Sequence, residues 1–127
     1  MGNENRIRMN VNVIKDGAKI PTQAEGGAVD LYACLDCASV AVLPHKTRDV
    51  PCGIAITIED GYMLLIRPAI DESKCVDAYL YPKECENNEL LIKLQNNGNF
   101  EFTVHNGMCI AQGVVVPTMQ IEIIHHP

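Results

Sequence analysis

The sequence predicts an all-β chain, folded as a jelly roll or β-barrel. Apolar residues recur with period two in run after run, the signature of half-buried strands. Asp-Gly, Gly-Gly and Asn-Gly pairs punctuate those runs where tight turns are needed. No window joins a helical period to helix caps, so helices contribute little. Many short strands joined by tight turns must close or pack face to face to hide their edges.

Along the chain, Ile7, Met9, Val11 and Val13 point one way while Arg8, Asn10 and Asn12 point the other. Asp16-Gly17 turns the chain, and Gly26-Gly27 leads into Ala28-Val29-Asp30-Leu31-Tyr32-Ala33. Ile54, Ile56 and Ile58 repeat the alternation before the Asp60-Gly61 turn. The stretch Asp71 to Tyr79 has room for one helical turn at most. The turn Asn96-Asn97-Gly98 precedes Phe100, Phe102 and Val104, and Asn106-Gly107 closes that run. Met119, Ile121 and Ile123 give a last alternating segment.

With 127 residues, 47% apolar and 20% charged, the chain is expected to form one domain over 1–127, with 1–6 a flexible tail. The net charge of −6, without a block of Lys or Arg, argues against a nucleic-acid polymer as partner. A compact anion needs only a local cation or backbone N–H groups and stays open. No apolar run approaches the ~20 residues of a membrane span. Met1 to Arg6 carries neither a secretory hydrophobic region nor a myristoylation pattern, so a soluble, cytoplasmic protein is expected.

Six cysteines raise a metal or disulfide reading. Cys34-Leu35-Asp36-Cys37 has zinc-knuckle spacing but no matching second pair, a weak signal. Cys52 and Cys109 sit in apolar strand patterns and are expected to act as small core hydrophobes. Neither zinc nor another cofactor is expected.

Two segments carry more than fold: Gly26 to Ala33, and Gly107-Met108-Cys109-Ile110-Ala111-Gln112. With Leu43-Pro44, Cys52 to Ile56 and Asp60-Gly61-Tyr62 between them, they resemble the trimeric dUTPases in order and spacing. The resemblance covers Ile14 to Ile124 and runs without a gap from Glu89 to Gln112. It implies a dUTPase-like barrel of the β-clip type that assembles as a homotrimer.

The same resemblance marks exchanged residues. Asp30 and Tyr32 stand in the first motif, where the family's aspartate helps hold the metal–triphosphate assembly; the competing reading is that Asp30 caps the turn after Gly26-Gly27. In the second motif Arg67 precedes the phosphate-gripping segment, whose residues are Ala69, Ile70 and Asp71. In the third, the general base falls on Lys83 and the sugar-packing tyrosine on Glu86. A shifted register would bring Asp77 to the base position and Tyr79 or Tyr81 to the ring. The fourth motif keeps Gln112 and replaces an aspartate and an arginine by Met108 and Cys109. No glycine-rich fifth motif follows, and His125-His126-Pro127 reads as a solvated terminus.

Losing two arginines, the base and the closing tail together removes most of the electrostatic clamping that phosphoryl chemistry needs. The expectation is therefore a catalytically inactive nucleotide binder, a sensor or sponge for a signalling nucleotide in a virus–host conflict. Its candidate contacts are Asp30, Tyr32, Arg67, Tyr79, Tyr81, Lys83, Lys93 and Gln112. The alternatives are a protein-interaction module that binds a host protein, or a divergent active dUTP diphosphatase using Asp77 with Mg²⁺.

Overall fold

A computed structural model describes residues 6–69, 76–80 and 88–127, without the side chains of 76–80. The described residues contain eleven strands: β1 (Met9–Val13), β2 (Thr22–Gln23), β3 (Ala28–Tyr32), β4 (Ser39–Val42), β5 (Thr47–Pro51), β6 (Ile54–Ile58), β7 (Tyr62–Pro68), β8 (Val76–Leu80), β9 (Leu91–Asn96), β10 (Phe102–His105) and β11 (Cys109–Pro117). Glu25–Gly27 is a 3₁₀ turn. The all-β expectation is met.

All pairings are antiparallel. A four-stranded sheet runs β2-β3-β11-β7, a three-stranded sheet β5-β9-β8, and two pairs join β1 to β6 and β4 to β10. Along β9, for example, Ile92, Leu94 and Asn96 point inward in strict alternation. Leu31, Val42, Val50, Cys52, Ile54, Ile92, Leu94, Val104 and Ile110 meet in one core. Each fully buried aliphatic side chain of this kind contributes about 1.5–3 kcal/mol of apolar burial.

The polar exception inside is Asn96, which is buried at the end of β9. Its Nδ2 donates to the carbonyls of Val42 (3.0 Å) and Phe100 (2.8 Å), and its Oδ1 accepts from Gly98 N–H (2.9 Å). One amide thus ties β4 to the turn between β9 and β10.

Three expectations are corrected. Phe100 is 85% exposed and lies outside a strand, because Asn96 captures its carbonyl and holds the turn until Phe102. Met119, Ile121 and Ile123 are more than 80% exposed and form no strand. Their strand partner runs out: β7 begins at Tyr62, opposite Pro117, and beyond it Thr118 N–H finds only the Gly61 carbonyl of the turn. Val13 is exposed although its alternation matches Met9 and Val11. Where a helical turn had room, Val76–Leu80 is strand β8; residues 71–75 lie outside the described residues, as do residues 1–5 of the expected tail.

Candidate functional site

The four-stranded sheet places one polar residue from each strand in a line. Thr22 of β2 stands opposite Asp30 of β3, Asp30 opposite Gln112 of β11, and Gln112 opposite Arg67 of β7. Directly opposite residues share a sheet face. Their chain neighbours Leu31 and Ala111 are fully buried, so the row occupies the outer face.

Hydrogen bonds run along this row. Arg67 Nε donates to Gln112 Oε1 (3.0 Å), and Gln112 Nε2 donates to Asp30 Oδ1 (2.9 Å). A cation at one end and an anion at the other leave the amide one orientation, oxygen toward Arg67 and nitrogen toward Asp30. Both bonds are charge-assisted, the stronger class of hydrogen bond.

A bulge in β11 adds a residue to the site. Cys109 is opposite Tyr32 and Gln112 is opposite Asp30, three residues on one strand against two on the other. The extra residue lets Ile110 and Ala111 both enter the core while Cys109 and Gln112 both reach the outer face. Cys109 is therefore half-buried beside the carboxylate of Asp30, not the core hydrophobe expected from its apolar neighbours. Burial pushes its thiol pKa up, and the Asp30 charge and a hydrogen bond to Asp30 push it further. Cys52 does lie in the core, and burial first, then Glu89, pushes its thiol pKa up to about 12.

Tyr32 extends the site toward β2, with its hydroxyl 2.6 Å from Thr22 Oγ1. Lys19 Nζ lies 5.2 Å from the Tyr32 ring centroid and donates to the Gly107 carbonyl at 2.9 Å. Such a cation over an aromatic face is worth about 0.5–1 kcal/mol at an exposed site.

The structure thus brings together Asp30, Tyr32, Arg67 and Gln112, and adds Thr22, Cys109 and Lys19. Asp30 sits within a strand, held by Gln112, rather than capping the Gly26-Gly27 turn. Lys93 lies in the other sheet, on β9, opposite Asp49 and Tyr79. Asp77 pairs with Gln95 in the backbone register of β8. The side chains of Asp77 and Tyr79, and all of Tyr81, Lys83, Glu86, Ile70 and Asp71, lie outside the described residues. Met108, at a position where the resemblance places an aspartate, packs against the core instead.

Cys34 is buried against Gly53, while Cys37 is exposed and donates to the Ser39 carbonyl (3.3 Å). Among the described residues no three His, Cys, Asp or Glu side chains stand close enough to hold a metal ion. A shallow depression of about 480 Å³ lies between β1 and β6, lined by Arg8, Asn10, Thr57, Ile58, Glu59 and Asp60. It shares no residue with the polar row.

Solved structures share the antiparallel fold that carries this row. The dUTPase of Staphylococcus bacteriophage 80alpha, solved with dUPNHPP, superposes with a TM-score of 0.75 at 14% identity, over 94% of this chain and 88% of that one. A mutant dUTPase of phage phi11 of S. aureus, solved to describe a structural Mg(II) ion, gives 0.74 at 15% identity, over 94% and 96%. A sequence model of the dUTPase family matches residues 16–126. The deoxyuridine 5'-triphosphate nucleotidohydrolase of Hydrogenobaculum sp. is 30% identical, over 93% of this chain and 85% of its own length. The enzyme of the same name from Escherichia coli O9:H4 is 35% identical, over 81% and 73%. This chain belongs to the dUTPase family. Among the described residues no helix is long and apolar enough to cross a membrane.

Proposed function

We propose that this chain is a nucleotide-binding protein of the dUTPase family, assembled as a homotrimer, whose ligand phosphates lie over the outer-face row. The observation that carries the reading is the relay Arg67–Gln112–Asp30, which holds a guanidinium in a fixed pose on an exposed sheet face. A fixed fork of N–H donors suits two oxygens of a phosphate. Tyr32, steadied by Thr22 and Lys19, supplies an aromatic surface beside it.

Turnover divides this reading in two. The relatives at 30% and 35% identity are named as hydrolases of deoxyuridine 5'-triphosphate, which favours a divergent dUTP diphosphatase. The exchanged residues favour holding a nucleotide without rapid hydrolysis, as a sensor or sponge would. Ala69 and Cys109 remove two cations, and Met108 is spent on core packing. A cation lost from a partly dry phosphate site forfeits several kcal/mol of transition-state stabilisation.

Incubating the purified chain with dUTP, dCTP and a panel of linear and cyclic nucleotides, with and without Mg²⁺, decides between them. Pyrophosphate release from dUTP at a rate typical of enzymes, about 1 per second or faster, establishes the diphosphatase. Intact nucleotide recovered after denaturation establishes the binder. Neither product nor bound ligand refutes the proposal and leaves a protein-interaction module with a host partner.

A further inference from the structure

We propose that the β4–β5 and β9–β10 turns together form a docking surface for another folded protein. The partner it fits offers an apolar pocket edged by carboxylates. This surface shares no residue with the polar row.

Outside the segment 118–127, Phe100 is the most exposed large apolar side chain among the described residues, at 85%, and Leu43 is 53% exposed. One exposed apolar side chain is ordinary. Here two are carried on turns fastened side by side. Asn96 Nδ2 donates to the carbonyl of Val42, the residue before Leu43, and to the carbonyl of Phe100 itself. Asn96 N–H donates to the Lys46 carbonyl (2.9 Å), and the Asn96 carbonyl accepts from His45 N–H (2.8 Å). Lys46 N–H closes its own turn on the Leu43 carbonyl (3.1 Å). With Gly98 N–H on its Oδ1, every polar group of buried Asn96 holds these two turns.

A second tie joins the turns at the surface, where His45 Nε2 lies 3.2 Å from Asn99 Oδ1. His45 stands at φ +61, a left-handed conformation unfavourable for a residue with a Cβ. The fold thus accepts a buried amide and local strain to fix the place of two side chains that add little to its core. Anchors ordered in advance lose less entropy on binding. Phenylalanine is also among the residues enriched at protein interfaces.

Charge specifies the partner. Lys46 and Arg48 are exposed and make no ion pair among the described residues. Arg48 Nη1 donates to the Ala41 carbonyl (3.1 Å), which sets the guanidinium beside the end of β4. Asp49, the next residue of β5, faces the other way, opposite Lys93. Glu101 is the carboxylate of the two turns, against two cations, in a chain of net charge −6. Carboxylates around an apolar pocket complement this surface. A second copy docked through a two-fold contact would instead set its cations against themselves.

The test selects a display library of small folded domains with randomised surface pockets on the immobilised full chain. Purified clones are then titrated against wild type, Phe100→Ala, Leu43→Ser and Lys46→Glu, with thermal unfolding of each variant as the folding control. All three side chains lie outside the core, so wild-type unfolding temperatures are expected. Most clones should carry Asp or Glu around an apolar pocket and lose about tenfold or more in affinity with Phe100→Ala. Lys46→Glu and added salt should weaken them further. An empty selection overturns the proposal, as does one dominated by clones that tolerate Phe100→Ala or Lys46→Glu. Sedimentation of wild type and Phe100→Ala at matched concentration adds a separate check. One oligomeric state for both is expected; a change would assign the surface to contacts between copies and overturn the proposal.

Discussion

Replacing Asn96 by Asp swaps one atom and should convert the fold into a pH-sensitive one. The amide nitrogen of Asn96 donates to two carbonyl oxygens, at 3.0 and 2.8 Å, in a fully buried site. An aspartate places an oxygen there. Ionised, it would face two carbonyl oxygens in a buried site, so the acid stays protonated in the folded state. Holding it neutral at pH 7, about three units above the ordinary aspartate pKa, costs about 4 kcal/mol at ~1.4 kcal/mol per unit. The protonated acid also offers one O–H where the amide offered two N–H groups, a further loss of about 1 kcal/mol. The bond from Gly98 N–H survives, since its acceptor is an oxygen in both side chains. The folded-state pKa of this aspartate is raised, so the folded form binds the proton more tightly than the unfolded chain. The penalty is therefore small below the ordinary aspartate pKa and grows as pH rises. About 5 kcal/mol is expected at pH 7, and about 1–2 kcal/mol near pH 4. Against a typical total stability of about 5–15 kcal/mol, the pH 7 loss is severe. Urea unfolding read by far-UV circular dichroism suits a chain without tryptophan, with wild type measured at each pH as reference. An equal penalty at both pH values, or one under about 1 kcal/mol at pH 7, would refute the reasoning.

Three other perturbations test other parts of the structure. Gly53→Ala places a methyl 2.8 Å from Cys34 Sγ and 2.9 Å from Ala18 Cβ at φ +72, so backbone strain and overpacking add. The expected loss is about 2–5 kcal/mol, a melting temperature lowered by roughly 5–15 °C. Gly61→Ala, at φ +88 with open space around it, should show only the backbone part; equal losses at the two sites would exclude the packing account. Alkylation followed by peptide mapping should label exposed Cys37 well before Cys109, and Cys52 last. Asp30→Asn removes a charge that holds the Cys109 thiol pKa up, so labelling of Cys109 at fixed pH should accelerate; an unchanged rate would separate the two side chains. Gln112→Leu breaks both bonds of the relay and should weaken tripolyphosphate binding several-fold, less than Arg67→Ala; a loss as large as that of Arg67→Ala would place Gln112 itself on the anion.

Strand positions were legible where alternation is backed by a partner. Ile54, Ile56 and Ile58 read as a strand and form one, because β1 lies beside them in register. Met119, Ile121 and Ile123 alternate as cleanly and form none, because a local pattern does not supply a hydrogen-bonding neighbour. Phe100 misled for a related reason: a buried side chain four residues earlier takes its carbonyl. Cys109 was misplaced because a strict period of two assigns it to the wrong face, and the bulge that moves it is a property of the pairing. The spacing of three between Cys109 and Gln112, both beside Asp30, is the trace of that bulge in the sequence.

The sequence alone determined the all-β class, the turns at Asp60-Gly61 and Asn106-Gly107, and the resemblance that marks Asp30, Arg67 and Gln112. These follow from local sterics and from motif order, both of which are written along the chain. Only the tertiary structure decided that these three residues touch. Arg67 is separated from Gln112 by 45 positions, and Asp30 by 82. Their contact depends on strand register between distant segments, which the packing of Leu31, Ile110 and Ala111 into a common core sets. A slip of one residue in any of these strands would turn its member of the row inward and break the line.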